Sequence, residues 1–473
     1  MAISKNRLLN PSVSFVVATH NRGLIAVECL RRTIACAQSA LGPGRFDLIV
    51  VDNASTDATA EQIADLAREL AAGTPDPTDP KNSPLKLIRL PRNCGPVAKN
   101  AGLEANPADI IVILDDDACP RPGALAQMVR HFQDDDRLGA AVFDVSLPDG
   151  AKEASAYPDV FIGAGTAFRG EALRTVARSC ARGHRSGILP WNFFMQAEEY
   201  DLSFRLLAAG WTIQRFWDMP LLHLKTPGAR IGERTTRLDV KNNLLLLAKY
   251  LPQPLCMDFA SEWLTRYFRM ALCRDRANQQ SAAGIAQAAK AGHRAAFING
   301  AAQGLKEWDY QRGDGRLILS PEILERVFRF QTIRDRLIRA KSRLNLRRIA
   351  FGDWGKNIFP FWKAAQDAGL EVTAIIDGKL ALPAGTPDKG YRGVPVIPES
   401  AFQQGSADAV IITAMSPVHA ARRSSELRRL LSTPVIDLFS HAAAPSATGL
   451  TDDADLSPRN SPVPVVHEEL SDA

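Results

Sequence analysis

Three carboxylates in a row, Asp115, Asp116 and Asp117, end the apolar run I-I-V-I-L at 110–114. Adjacent acids repel one another, so the triplet is costly unless a cation or a set of donors offsets it. A hard divalent ion such as Mg²⁺ or Mn²⁺ takes oxygen ligands, often one or two carboxylates plus the phosphate oxygens of a substrate. Polar residues close other apolar runs in the same way: A-T-H-N-R at 18–22, Asp52 in V-D-N-A-S-T-D at 51–57, and His223 after M-P-L-L at 219–222. Glu198 and Glu199 open A-E-E-Y-D-L-S-F-R at 197–205. Together these residue types suit a nucleotide diphosphate. Asp52 can accept a hydrogen bond from a pyrimidine N–H or a sugar hydroxyl, and Asp115 suits a ribose diol. Asp117 can hold an ion that bridges two phosphates, with His223 adding a neutral ring nitrogen. Glu198 or Glu199 can take a proton from an acceptor hydroxyl.

Each residue also has an ordinary structural use. The triplet can be a solvated acidic turn, and Asp52 can cap the turn after it. The two glutamates suit the first turn of a helix, where the dipole favours acids. A lone histidine after an apolar run is more often structural than a ligand. It is the five elements in one order, on one sheet, that point to a site.

The elements that must position them alternate. Strands are predicted at 13–18, 46–51, 85–90 and 110–114, and helices at 24–40, 58–72 and 97–105. This rhythm implies a mainly parallel sheet covered by helices on both faces, with ligands at the carboxyl edge of its strands. A proline-studded surface loop is expected at 73–84, strands at 163–169 and 212–216, and a helix from near Glu198. From 237 to about 348 the pattern is helical. Its last stretch, 325–348, is strongly basic with apolar Val327, Phe328, Ile333, Leu337, Ile338 and Leu344, a composition that can lie on an anionic membrane or pack on its own domain.

A second α/β unit begins at 348 with R-I-A-F-G-D-W-G-K-N, then a helix to 369, V-T-A-I-I-D at 372–377, and apolar runs at 394–397, 409–414 and 434–439. Strand, glycine turn, helix and a strand ending in Asp outline a dinucleotide-binding half, so Gly352, Gly355 and Asp377 form a possible second nucleotide site. The full G-x-G-x-x-G is absent, which weakens the case for a bound nucleotide. The residues past 440 are Ala/Ser/Pro/Asp-rich and expected to be disordered. The expected division is therefore 1–250, 251–345, 346–440 and a tail 441–473.

Fifty-seven basic against 52 acidic residues leave a net charge of +5, too balanced to point to nucleic acid. The seven cysteines show no C-x-x-C pair or regular spacing, which argues for a reducing compartment. No signal-peptide pattern and no membrane-length apolar segment is visible, so the expected location is the cytoplasm, with peripheral contact at the inner face of the membrane as the alternative.

Residues 12 to about 250 resemble a family-2 glycosyltransferase with the GT-A fold, the inverting type that uses nucleotide-activated sugars. The resemblance rests on S-F-V-V-A-T-H-N-R, V-V-D-N-A-S-T-D, L-P-R-N-C-G-P-V-A-K-N-A-G-L (90–103), D-D-D-A-C-P and E-E-Y-D-L-S-F-R-L-L-A-A-G-W. R-L-D-V-K-N-N-L-L-L-L-A-K-Y-L-P at 237–252 is similar to a helix of bacterial rhamnosyl- and related transferases. The resemblance implies that Thr19, Asn21, Arg22 and Asp52 contact the nucleoside, with Asn93, Gly95 and Lys99 in the same pocket. It places Asp115 and Asp116 on the donor, Asp117 and His223 on the metal or diphosphate, and the base on Glu199, where the family more often has Asp. Glu198 and Glu199 stay hard to separate on this ground. The lead-in G-I-L-P-W-N-F-F-M-Q (187–196) departs from the family pattern, and Trp191, Phe193 and Phe194 in it can stack on a sugar or belong to the core. The implied partners are a nucleotide-diphosphate sugar donor and a glycan, lipid-linked or protein acceptor. Nucleotidyl transfer and non-catalytic nucleotide-sugar sensing are the alternatives. The first is disfavoured by the few glycines after the first strand.

Overall fold

Five consecutive aliphatic residues build the central strand, and where they stop the chain leaves the sheet. The computed structural model describes residues 8–72, 83–104, 106–180, 187–225, 232–280, 292–313, 316–382 and 388–439. The tail expected at 441–473, and the loop expected at 73–84 apart from its last two residues, lie outside the described residues. In chain order the first part comprises β1 (Val13–Thr19), α1 (Gly23–Leu41), β2 (Phe46–Asp52), α2 (Thr59–Ala72), β3 (Leu85–Arg89), α3 (Asn100–Leu103), β4 (Ile110–Asp115) and β5 (Ala118–Pro120). It continues with α4 (Ala124–Asp134), β6 (Leu138–Ser146), β7 (Lys152–Glu153), β8 (Gly165–Arg169), α5 (Gly170–Cys180), α6 (Glu198–Ala208) and β9 (Thr212–His223). The sheet order is β3-β2-β1-β4-β8-β6-β9-β5, with β7 paired to β6.

The β3-β2-β1-β4 half is parallel, as the alternating sequence requires. Register then sets the site. Thr19 lies opposite Asp52, and Ala18 opposite Asp115, so the polar ends of three strands share one edge. Strand β8 runs antiparallel between β4 and β6. Strand β9 is far longer than the expected 212–216: it runs along β6 and then pairs with β5, Ala118 opposite His223. That register places His223 beside the residue that follows Asp117.

The helix expected at 97–105 is instead a 3₁₀ turn over Gly95–Lys99 followed by the four-residue α3. Pro96 enters the first turn, and Asn106 precedes Pro107, which disfavours helical backbone there.

Helices α7 (Glu233–Tyr250), α8 (Leu255–Gln280), α9 (His293–Gln311), α10 (Pro321–Phe328) and α11 (Phe330–Leu344) follow. The basic stretch is thus two helices, broken at Arg329, which takes a left-handed φ of 53°. Val327, Phe328, Ile333 and Leu337 are buried, while Ile338 and Leu344 are exposed. Most of its apolar stripe is spent on the protein's own core. Among the described residues no helix is long and apolar enough to cross a membrane.

The last part is β10 (Arg348–Phe351), α12 (Ile358–Asp367), β11 (Glu371–Ile376), β12 (Val396–Ile397), β13 (Ala409–Ile412), α13 (Pro417–Leu430) and β14 (Val435–Asp437). It forms a second sheet, β12-β11-β10-β13-β14, parallel throughout. One hydrophobic core runs from Val16 and Ile113 of the first sheet, through Phe204, Tyr250, Phe259 and Phe328, to Phe351 and Ile411 of the second. Residues Met1–Ser440 accordingly form one compact unit.

Helix α6 is fixed by a buried ion cluster. Asp201 accepts from Arg205 Nε at 2.7 Å, Lys249 Nζ at 2.6 Å and the Tyr250 hydroxyl at 2.7 Å. Burial alone would raise the Asp201 pKa, but Arg205, Lys249 and the tyrosine hold it down to about 2. Its folded value lies below that of an unfolded Asp, so the cluster stabilises above pH ~4 and that stability is lost as pH falls toward 2, an effect of about 2 kcal/mol. Asp201→Asn should lower the unfolding free energy at neutral pH by about 3 kcal/mol in urea titration, because it strands the buried Arg205 and the part-buried Lys249. A loss well under 1 kcal/mol would refute this role.

Candidate active site

Every acid at the end of β4 has a cation against it. Lys99, buried, donates from Nζ to Asp115 Oδ1 at 2.8 Å and to the Gly163 carbonyl at 3.3 Å. Arg22 spans the next two, Nη1 to Asp116 Oδ1 at 2.7 Å and Nη2 to Asp117 Oδ2 at 2.6 Å. The Thr19 hydroxyl donates to Asp116 Oδ2 at 2.7 Å. His223 Nε2 lies 3.1 Å from Asp117 Oδ1, and its Nδ1 lies 2.5 Å from Glu153 Oε2, which in turn pairs with Lys225. Acids and cations alternate across the whole edge.

Their protonation follows from these contacts. Burial pushes Asp116 up to about 6, opposed by Arg22 and Thr19. Burial acts on Asp117 in the same sense, but its bonds to His223 and Arg22 win and hold it well below the usual carboxylate range. Glu153 is likewise held down to about 2 against its burial by His223 and Lys225. Burial disfavours the His223 cation, yet Asp117 and Glu153 outweigh it and raise the ring to about 9.

Asp115, Asp117 and His223 each offer a ligand atom, and these atoms lie within 4.8 Å of one another. His223 Nε2 is buried and meets Asp117 Oδ1 at 3.1 Å without a hydrogen bond of good geometry, so a cation that displaced the ring proton would find this nitrogen facing it. Two carboxylates and an imidazole, with Glu153 on the far ring nitrogen, fit a divalent cation and have the second partner that metal-binding histidines usually show.

Beyond the acids lies a cavity of about 310 Å³, lined among others by Lys99, Asp115, Glu153, Gly163, Glu198 and Glu199. The two glutamates differ sharply. Glu198 is buried, its Oε2 has no hydrogen-bond partner, and burial with the neighbouring Glu199 raises its pKa well above the ordinary value. Burial thus favours its protonated form. Glu199 is only half-buried. A Cβ at position 163 would come within 3.2 Å of Glu199 Oε1, so glycine there leaves the carboxylate its room.

The segment that delivers these glutamates is strained. Phe194, Gln196 and Ala197 all take left-handed φ, at 64°, 72° and 68°. Such residues cost of order 1–3 kcal/mol each and persist where surrounding contacts over-determine them. Here Asn242 of α7, fully buried, donates from Nδ2 to the carbonyls of Phe193 (2.9 Å), Met195 (2.7 Å) and Gln196 (2.9 Å). Gly95, at φ +70°, lets the 3₁₀ turn pass against Phe194; a Cβ there would meet the Phe194 carbonyl at 2.6 Å and its ring at 2.7 Å. Phe193 is buried in the core, Phe194 lies under the Arg234 guanidinium at 4.0 Å, and Trp191 stays exposed.

The remaining sequence-based candidates sit around the first two strands. Asp52 is buried, accepts from the Ser55 N–H at 3.1 Å and lies 3.5 Å from Arg89 Nε. Asn21 holds the 53–57 turn, accepting from the Thr56 N–H at 2.8 Å. Asn93 accepts from the Gly95 N–H at 2.8 Å and from Asn53 Nδ2 at 3.1 Å, which makes Asn53 the organiser of that loop. Asn53, Glu153, Gly163 and Asn242 were not singled out from sequence.

At the edge of the second sheet Asp377 does meet the turn that holds Gly352 and Gly355, but backbone donors occupy its carboxylate. Asp377 accepts from the N–H groups of Trp354 (3.1 Å) and Lys379 (3.0 Å). At the start of α12, where a dinucleotide's phosphates would be bound, the buried Glu262 of α8 accepts from the N–H groups of Ile358 (3.1 Å) and Phe359 (3.0 Å). A side-chain carboxylate takes the place of the phosphate.

Residues 14–185 match the family model for Glycosyl transferase family 2. No curated protein matches the sequence. Among solved structures, the chain is similar to the mannosyltransferase PcManGT from Pyrobaculum calidifontis in complex with GDP-Man and Mn²⁺, at 19% identity, 65% of this chain, 90% of that one and a TM-score of 0.41. TarS (1-349) from S. aureus aligns at 15% identity over 80% of this chain and 98% of that one, TM-score 0.41. GalNAc-T7 with UDP, GalNAc and Mn²⁺ aligns at 13% identity over 63% and 57%, TM-score 0.39.

Mn²⁺ titrated into the protein and followed by electron paramagnetic resonance should bind at one site. Asp117→Asn should abolish that binding, and Glu153→Gln should weaken it about 10- to 100-fold by freeing the far side of His223. Unchanged affinity in both variants would rule the site out.

Proposed function

We propose that the protein is a metal-dependent, inverting glycosyltransferase that moves a sugar from a nucleotide-diphosphate donor to a hydroxyl of a glycan, lipid-linked or protein acceptor. The observation that carries this reading is the pairing of a cation-binding set, Asp115, Asp117 and His223, with the half-buried Glu199 carboxylate across one cavity. The family match over residues 14–185 supports the same reading. Within that reading Thr19, Asn21, Arg22, Asp52, Asn93, Gly95, Lys99, Asp115 and Asp116 serve the donor, and the division of the chain at about 250 and 345 separates the transferase domain, a helical linker and a Rossmann-like unit.

Glu199 removes the proton of the acceptor hydroxyl. The acceptor oxygen forms its bond to the anomeric carbon as the bond from that carbon to the phosphate oxygen breaks, from the opposite face, so the centre inverts. The electron pair of the broken bond leaves on the nucleoside diphosphate. A bound Mg²⁺ or Mn²⁺ would neutralise charge on that diphosphate. Lys99 and Arg22 bring positive charge to the same edge, and once a donor displaces their carboxylate partners that charge stabilises the negative charge developing on the leaving group. Glu198, buried and biased toward its protonated form, lines the cavity rather than serving as the base. The sensor alternative has the same donor site and no turnover, so donor hydrolysis separates the two.

Hydrolysis and transfer should be screened over UDP-, GDP- and dTDP-sugars with Mn²⁺. Turnover should vanish with EDTA and return with added metal. Glu199→Gln should lower kcat by 10³-fold or more, while Glu198→Gln, which mimics a protonated carboxyl, should keep kcat within about tenfold of the parent. The reverse order would move the base to Glu198, and full activity in both variants would exclude a carboxylate base.

A further inference from the structure

The C-terminal α/β unit sends a charged side chain against Tyr200, just behind the cavity that holds Glu199. Lys356, in the loop between β10 and α12, carries its ammonium over the rings of Tyr200 (5.0 Å), Trp263 (5.6 Å) and Tyr267 (5.8 Å). Nζ donates to Asn243 Oδ1 at 3.2 Å, and Asn243 Nδ2 donates to the Tyr267 hydroxyl at 3.0 Å. The loop itself is pinned. The Lys356 carbonyl accepts from the Tyr157 hydroxyl at 2.6 Å and from Trp263 Nε1 at 3.3 Å, and the Trp354 carbonyl accepts from Arg266 Nε at 2.8 Å.

Tyr200 is the residue after Glu199. Its ring meets Tyr157 and Phe204 edge to face, at centroid distances of 5.8 and 6.2 Å, and Lys356 covers it from the second unit. The charged groups that face Lys356 are Asp239 of α7, Arg266 of α8 and Glu199 itself. Burial lowers the lysine's pKa, Asp239 and Glu199 favour its charge, and Arg266 opposes it.

We propose that Lys356 is a positioning residue of the transferase site, supplied by the C-terminal α/β unit: lodged among Tyr200, Trp263 and Tyr267, it holds the first turn of α6 and with it the Glu199 carboxylate. The proposal rests on the transferase reading above. A part-buried cation is a poor choice for docking alone, since apolar replacements of charges withdrawn from water are often neutral or stabilising. A cation over the tyrosine beside the base does what an apolar residue cannot: it fixes the ring electrostatically. Displacement of a catalytic group by about 1 Å can cost about 10²-fold in rate.

The full chain carrying Lys356→Met should unfold at the same temperature as the parent or higher. Its kcat for release of nucleoside diphosphate from the sugar donor that the parent turns over, with Mn²⁺, should fall tenfold or more, with the donor KM within twofold. Lys356→Arg, which keeps a cation over the rings, should recover most of the loss. Amide hydrogen exchange across 195–205 should quicken at least tenfold in Lys356→Met alone. A folded Lys356→Met protein with parental kcat overturns the proposal. If the parent itself turns over no donor, the transferase reading fails. The exchange measurement then decides the present point, and unchanged exchange across 195–205 overturns it.

Discussion

Negative charges brought side by side at the end of a parallel strand repel one another, and much of the first α/β half can be understood as the answer to that repulsion. Two like charges about 4 Å apart cost roughly 4 kcal/mol at an effective dielectric near 20. The chain offsets this with Lys99 on Asp115, Arg22 across Asp116 and Asp117, and His223 between Asp117 and Glu153. Each cation arrives from a different element: the 3₁₀ turn, the loop after β1, and the end of β9. The fold is therefore committed to bringing these elements together, and the same convergence makes a place where an ion and a diphosphate can exchange for internal partners.

The opposite side of the cavity is built on different terms. The 193–197 segment holds three residues in left-handed backbone, and it stays there because one amide, that of Asn242, shares its two N–H donors among three of its carbonyls. Asp201 then ties the following helix to α7 through Lys249 and Tyr250. The C-terminal unit closes this wall from behind with Lys356 and anchors itself by the Glu262 carboxylate at the start of α12. Strain near the chemistry is balanced by buried hydrogen bonds one shell away. Precision at Glu199 thus depends on helices far along the chain.

What could be seen in the sequence is what local pattern encodes. The run I-I-V-I-L ending on Asp115–Asp117 is a strand delivering acids to a sheet edge, and the polar ends at Thr19 and Asp52 are its neighbours in register. The helix from Glu198 and the second parallel sheet were legible for the same reason. Contacts made by register or by distant packing were not. Glu153 sits on a two-residue strand with no periodic signal, yet it orients His223. The length of β9 was hidden because the apolar run is broken by Arg215, which pairs with Asp144, and by the exposed Trp217 and Asp218. The glycines at 352 and 355 suggested a phosphate loop, and nothing nearby in sequence announced that Glu262, about ninety residues earlier, would occupy the helix start.

The central claim is that the acids after β4 and His223 bind a cation next to a donor's diphosphate. Anomalous scattering from crystals soaked with Mn²⁺ and each of UDP, GDP and dTDP tests it directly. The account expects a manganese peak among Asp115, Asp117 and His223, with diphosphate oxygens on the same ion and Arg22 drawn off Asp117. Crystals that show no peak there under saturating Mn²⁺ and nucleotide, with Arg22 still bridging Asp116 and Asp117, would contradict it.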